Sequence, residues 1–281
     1  MIIDSFIFYN ELDLLFYRLS ILNEYVDYFI LVESTHTFSG NIKPLFYDKN
    51  KEKYSIFNDK IIHVIVDDFP YKAPNINYNL NNQWQNEYHQ RNSISRGLNK
   101  IVHILNDNDI ILTSDLDEIP NPIILQNIMK NNLCFDTTRL NRLELDMYYY
   151  NLHYKIGEGN NWHGIKLLTF ATYNTIKLSF QEMRTFEWTN FVPIVKNGGW
   201  HLSYFGDANF IINKIQGFSH QEFNNDLFIE KDIVEKKHKN GVNLLNNTKL
   251  IFIPIEENNN LPYKYNIFLK DFFTNKNMIT P

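Results

Sequence analysis

Ile110-Ile111-Leu112-Thr113-Ser114-Asp115-Leu116-Asp117-Glu118-Ile119-Pro120 is an apolar run that empties into acidic residues and stops at a proline. Ile110 to Thr113 reads as a buried β-strand, since a short aliphatic and β-branched run bounded by turn signals packs well inside a sheet. The strand delivers two carboxylates, one residue apart, into a turn stopped by Pro120, outside any core. Two hard oxygen donors on one rigid turn suit a divalent cation, Mn²⁺ or Mg²⁺, that also takes diphosphate oxygens as ligands. Asp115 and Asp117 are therefore the expected metal and diphosphate site.

Upstream the same grammar recurs. Ile2 to Tyr9 reads as a strand, and Asn10 with Asp13 three residues later reads as a helix cap of the Asx-x-x-acid kind. Leu12, Leu15, Phe16, Leu19 and Leu22 repeat at helical spacing behind it. Tyr28 to Val32 is a second strand, ending at Glu33, and Ile61 to Val66 a third, ending at Asp67-Asp68. Strands alternating with helices predict an α/β fold, a Rossmann-like, mainly parallel sheet flanked by helices, with ligands outside the carboxyl ends of the strands. Glu33, Asp67 and Asp115 would share that edge. A long helix is expected from about Gln83 to Leu105, with Trp84, Tyr88, Ser95, Leu98, Val102 and Leu105 on one stripe and Arg91 among them. Arg91 on an inward stripe calls for an ion partner, Glu33 or Asp115, as a structural salt bridge or as a cation aimed at a phosphate. Glu33, Arg91 and Asp115 are thus the donor-binding candidates.

Composition narrows the class. Of 281 residues 44% are hydrophobic, with 22 Phe and 17 Tyr, enough for a large core and free of any disorder signature. A net charge of -5 argues against a nucleic-acid surface, which needs clustered Lys and Arg. Cys134 is the single cysteine, so no internal disulfide framework forms and a reducing, cytoplasmic setting is expected. No basic leader opens the chain, and no apolar run reaches the ~18 residues of a membrane span.

After Pro122 a short helix to about Lys130 is followed by aromatic segments, Met147-Tyr148-Tyr149-Tyr150 and Trp162-His163-Gly164. These suit the face that meets an acceptor. The expected organisation is one catalytic domain over residues 1–253, with about 1–120 holding the nucleotide and metal and about 121–253 facing the acceptor, then a surface extension over 254–281. Asn197-Gly198-Gly199-Trp200-His201 reads as a tight Gly-Gly turn that brings an imidazole close to a ligand. Trp162 and Trp200 are either core aromatics or stacking platforms.

Asp4-Ser5-Phe6 with Tyr9-Asn10-Glu11, Leu31-Val32-Glu33-Ser34-Thr35, Gln90-Arg91, Ser114 to Pro120 and Gly199-Trp200-His201 together resemble glycosyltransferase family 17, in consistent order over roughly residues 1–225. The resemblance implies a GT-A-type nucleotide-diphospho-sugar transferase fold, an inverting reaction, UDP-N-acetylglucosamine as donor, a glycan hydroxyl as acceptor and Mn²⁺ as cofactor. Asp115 and Asp117 match the family's Asp-x-Asp motif, and a late histidine as a further metal ligand points to His201, with His220 competing. Animal members carry a Golgi anchor and stem not seen here, so their N-glycan acceptor is not carried over. An inverting transfer needs a carboxylate to take the acceptor proton. Glu182, Glu187, Asp207 and Glu222 are candidates, and Glu187 is favoured because Phe186 and Trp188 flank it and apolar neighbours raise a carboxyl pKa. The competing readings are a transferase using another nucleotide-sugar, a haloacid-dehalogenase-like phosphatase, in which an Asp-x-Asp also follows a strand, and a sugar-binding module without turnover.

Overall fold

The computed structural model describes residues 1–130, 132, 135–157, 161–186 and 191–272. Strand β1 (Ile2–Phe8) runs into helix α1 (Leu12–Leu22), strand β2 (Tyr28–Ser34), the short helix α2 (Phe46–Lys49) and strand β3 (Ile61–Val66). Helices α3 (Asn82–Asn92) and α4 (Ile94–Leu98) precede β4 (Ile110–Asp115) and β5 (Glu118–Pro120). Helix α5 (Pro122–Met129) then leads to β6 (Asn141–Tyr149), β7 (Asn151–Lys155) and β8 (Lys166–Thr169). Helices α6 (Phe170–Ile176) and α7 (Phe180–Thr185), strand β9 (Ile194–Ser203) and helix α8 (Ala208–Gly217) follow.

The first four strands form the expected parallel half, in the order β3-β2-β1-β4. Beyond β4 the sheet becomes mixed: β8 lies antiparallel to β4, β6 antiparallel to β8, and β9 parallel to β6 while antiparallel to β5. Because β2 and β3 lie to one side of β1 and β4 to the other, the carboxyl ends of β1 and β4 flank the crevice where α/β sheets bind ligands. Alternate residues of the central strands enter separate cores. Ile2, Phe6, Leu31 and Leu112 join the side covered by α1, whereas Ile3, Ile30 and Ile111 meet Ile94 and Leu98 of α4 on the other. Both faces are buried, as the continuous apolar strand runs require.

Two local expectations are corrected. Asn10 does not cap α1; its amide reaches Asn213 of α8, and Glu11 holds the entry instead by accepting from the Tyr9 and Asn10 amides at 3.3 and 3.1 Å. Nor is there one helix from Gln83 to Leu105. It breaks at Ser93, whose hydroxyl donates to the His89 carbonyl at 2.8 Å while the Ser95 hydroxyl donates to Asn92 at 2.7 Å. Short polar side chains compete there with the helical ladder. The break lets Gly97 lie so close to the sheet that a β-carbon would meet Ile30 at 2.4 Å.

Residues 254–272, expected as a surface extension, lie against the body. Leu269 is fully buried, the Tyr17 hydroxyl donates to the Tyr263 carbonyl at 2.9 Å, and the Trp200 indole donates to the Asn260 carbonyl at 2.8 Å. Trp200 is thus a core residue. Among the described residues, no helix is long and apolar enough to cross a membrane.

Candidate active site

A cleft of about 800 Å³ opens at the carboxyl ends of β1 and β4. Phe8, Tyr9, His36 and Lys43 line it on the β1–β2 side, Asp115, Asp117 and His201 lie across β4 and β9, and Met147, Trp162 and Tyr204 line the far side. The turn carrying both aspartates is braced from below by a residue that sequence reasoning passed over. Arg18 of α1 is fully buried and pairs with Asp4 of β1, Nε to Oδ2 at 2.8 Å and Nη2 to Oδ1 at 2.6 Å. Its Nη1 donates to the carbonyls of Asp115, Leu116 and Glu118 at 3.1, 3.0 and 2.8 Å, and Nη2 to the Ser114 hydroxyl at 2.8 Å. A guanidinium carries five N–H donors in a fixed plane, so one side chain can lock a whole turn. The signal was in the sequence: an arginine within the apolar stripe of Leu15, Leu19 and Leu22, and an aspartate inside an apolar strand.

Asp115 is gripped by two arginines. Arg91 Nη2 lies 2.9 Å from Oδ1 and Arg184 Nη2 3.1 Å from Oδ2. Burial alone would raise its pKa, but the two guanidiniums outweigh that and hold it below the ordinary carboxylate value. Arg91 therefore found one of its two expected partners, and it also pairs with Glu87 at 2.9 Å. Arg184 extends the network to Glu118, whose carboxylate it meets through Nη1 at 2.8 Å and Nη2 at 2.7 Å. Glu118 also accepts from the Asp115 amide at 3.0 Å and from the Trp162 indole. Gly164 must be glycine for this, since a β-carbon would fall 1.8 Å from Glu118 Oε1.

Asp117 has different company. Its Oδ2 is 2.8 Å from Lys214 of α8, which also meets Glu11 at 2.9 Å, and its Oδ1 is 3.6 Å from His201 Nε2. Burial opposes its ionisation, yet Lys214 and His201 hold the carboxyl well below its usual range. The carboxylate and imidazole are too far apart for a hydrogen bond and close enough to ligate one cation together. Among the described residues, Nδ1 of His201 is buried without a hydrogen-bond partner. Among the described residues no three acidic, histidine or cysteine side chains cluster as a metal cage. An oxygen-seeking cation held by one or two side chains and completed by substrate phosphates and water fits that donor set.

His201 owes its position to strand register, which corrects the expected Gly-Gly turn. Gly198 and Gly199 lie inside β9, where Glu118 pairs with His201, Ile119 with Trp200 and Pro120 with Gly199. The glycines allow close approach: at Gly199, φ is +148° and a β-carbon would sit 2.1 Å from the Ile119 carbonyl oxygen. Gly199→Ala is expected to push β9 off β5, lowering stability by roughly 1–3 kcal/mol and weakening whatever His201 binds; urea unfolding with a ligand titration checks both. A variant as stable as the native chain would mean that β5 and β9 separate at no cost.

The other candidates fall elsewhere. Glu33 points away from the cleft, accepting from the Tyr47 amide at 3.0 Å and lying 3.1 Å from His63. Glu187 lies outside the described residues. Glu182 closes a capping box with Ser179, Asp207 caps α8 at the Phe210 amide, and Glu222 pairs with His220 at 2.7 Å. None of these three lines the cleft, whereas His220 does, edge-on to Trp84 at 4.6 Å. Arg184 and Lys214 were not legible beforehand, because nothing in a local pattern says which surface-type cation a distant strand will meet.

The family profile of glycosyltransferase family 17 matches residues 1–249. No curated protein matches the chain. Among solved structures, the inositol-1-phosphate CTP transferase from T. maritima is 13% identical with a TM-score of 0.35, covering 69% of this chain and 84% of that one. A 4-diphosphocytidyl-2C-methyl-D-erythritol synthase is 12% identical with a TM-score of 0.37, over 74% and 89% of the two chains. A glycosyltransferase involved in the glycosylation of the major capsid of PBCV-1 is 12% identical with a TM-score of 0.28, over 69% and 80%. At such scores none of the three bears on the chemistry of the cleft.

Proposed function

Since the chain belongs to glycosyltransferase family 17, we propose that it transfers N-acetylglucosamine from UDP-N-acetylglucosamine to a glycan hydroxyl, with inversion and with Mn²⁺, or Mg²⁺ in its place, as cofactor. The observation that carries the reading is the meeting of Asp117 and His201, 3.6 Å apart on the floor of a cleft large enough for a nucleotide-sugar. Asp117 and His201 would hold the cation. When bound, it neutralises charge that develops on the departing diphosphate.

The remaining work falls to the chain. Arg91 and Arg184 fix the Asp115 carboxylate for the donor's polar groups, a preorganised arrangement that needs no rearrangement as the bond breaks. Trp162, partly exposed on the far side, offers an aromatic face to a sugar ring. Glu187 is our proposed base: it follows Thr185 by two residues and Arg184 by three, and both of those line the cleft. It would take the acceptor proton as the hydroxyl oxygen attacks the anomeric carbon and the diphosphate leaves. The lone cysteine Cys134 supports a cytoplasmic setting.

Glycosyltransferases without acceptor commonly leak donor to water, so a panel of nucleotide-sugars tests the reading directly. Slow release of N-acetylglucosamine from the UDP donor is expected, abolished by a chelator and restored by Mn²⁺. Equal turnover of other nucleotide-sugars would overturn the donor, and turnover indifferent to chelation the cofactor. Binding with no release of sugar would make the chain a sugar-binding module.

A further inference from the structure

Lys43 lines the β1–β2 side of the cleft, away from the Asp115 and Asp117 ion pairs. Its amide donates to the Thr35 carbonyl at 2.9 Å, which closes the small loop after β2 and aims the side chain at the β1–β2 end of the cleft. The residue is 9% exposed, yet no carboxylate pairs with it among the described residues. Its ammonium lies 5.5 Å from the ring centres of both Tyr9 and Phe46, and its sole hydrogen bond among those residues is a 3.5 Å contact to the Pro44 carbonyl. An ammonium has three donors and no acceptor. Buried with its donors nearly unused, it is a costly group in want of oxygen acceptors.

The geometry points to Lys43 as a specificity-determining residue of the donor subsite, donating to a carbonyl oxygen of the nucleobase; this rests on the nucleotide-sugar reading above. The order of charges along the cleft supports the base over the phosphates. Asp117 contacts Lys214, Lys214 contacts Glu11, and Lys43 lies beyond, in the field of Glu33 and Glu11. A diphosphate beside Asp117 and His201 has Lys214 at hand, while at the Lys43 end the carboxylates of Glu33 and Glu11 disfavour a further anion. A nucleoside extending from that diphosphate towards β2 meets Lys43 flanked by aromatic rings, and uracil presents carbonyl oxygens on its edge. Burial lowers the Lys43 pKa to about 8, against the opposing pull of Glu33 and Glu11.

Calorimetry on the full chain with Mn²⁺ present separates base from phosphate, using UDP and inorganic pyrophosphate as probes. Lys43→Met is expected to weaken UDP by about 10- to 100-fold, the worth of a hydrogen bond to a charged group, and to leave pyrophosphate unchanged. Equal loss of both probes would place Lys43 on the phosphates, and loss of neither would leave it outside the subsite; each overturns the inference alone. A native protein that binds pyrophosphate and not UDP would overturn the uridine donor along with it. If Lys43→Met does not fold, Lys43→Gln, which keeps an N–H donor one bond closer to the backbone, is read by the same comparison with a smaller loss.

Discussion

Asp117→Asn is expected to lower kcat/KM for sugar transfer by about 10²- to 10³-fold, the scale on which removing one preorganised stabiliser of transition-state charge acts. The substitution keeps shape and removes the anion. Lys214 retains Glu11 at 2.9 Å, so it does not become an unpaired buried charge and the fold survives. Two readouts separate a cation ligand from a residue that only holds Lys214. The Mn²⁺ concentration needed for half-maximal UDP binding should rise, and excess Mn²⁺ should recover binding more than turnover. Near-native activity with metal present would remove Asp117 from the mechanism.

Arg18→Met is expected to cost about 3–5 kcal/mol of folding stability, as for other buried pairs broken from one side. The loss has two parts. Asp4 is left fully buried without its partner, and the carbonyls of Asp115, Leu116 and Glu118 lose their shared donor. Urea unfolding of the native and variant chains measures the sum. Asp4→Leu combined with Arg18→Met should regain part of it, because the uncompensated carboxylate is gone while the turn stays unbraced. That double variant should therefore be more stable than Arg18→Met yet remain poor in UDP and Mn²⁺ binding. Stability within about 1 kcal/mol of native for the single variant would mean that water replaces the guanidinium, and the brace would lose its meaning.

The sequence by itself determined the parallel half of the sheet and the acidic turn at its edge. Apolar runs such as Tyr28–Val32 and Ile110–Thr113 are local signals, and a strand buried on both faces is written in consecutive residues. The same reasoning put Asp115 and Asp117 at the end of a strand and Arg91 on an inward helical stripe, because both are properties of a short window. It failed where side chains outbid the window, as at Ser93, which splits the long helix, and at Asn10, drawn off by Asn213. What only the tertiary structure decided is which charges meet. Lys214 reaches Asp117 across 97 residues and Arg184 reaches Glu118 across 66, while β9 sets His201 opposite Glu118 by strand register. Such pairings follow from how distant elements pack. A lysine or arginine on a short helix looks the same in sequence whether it faces water or a buried carboxylate, and desolvation on folding is what tells them apart.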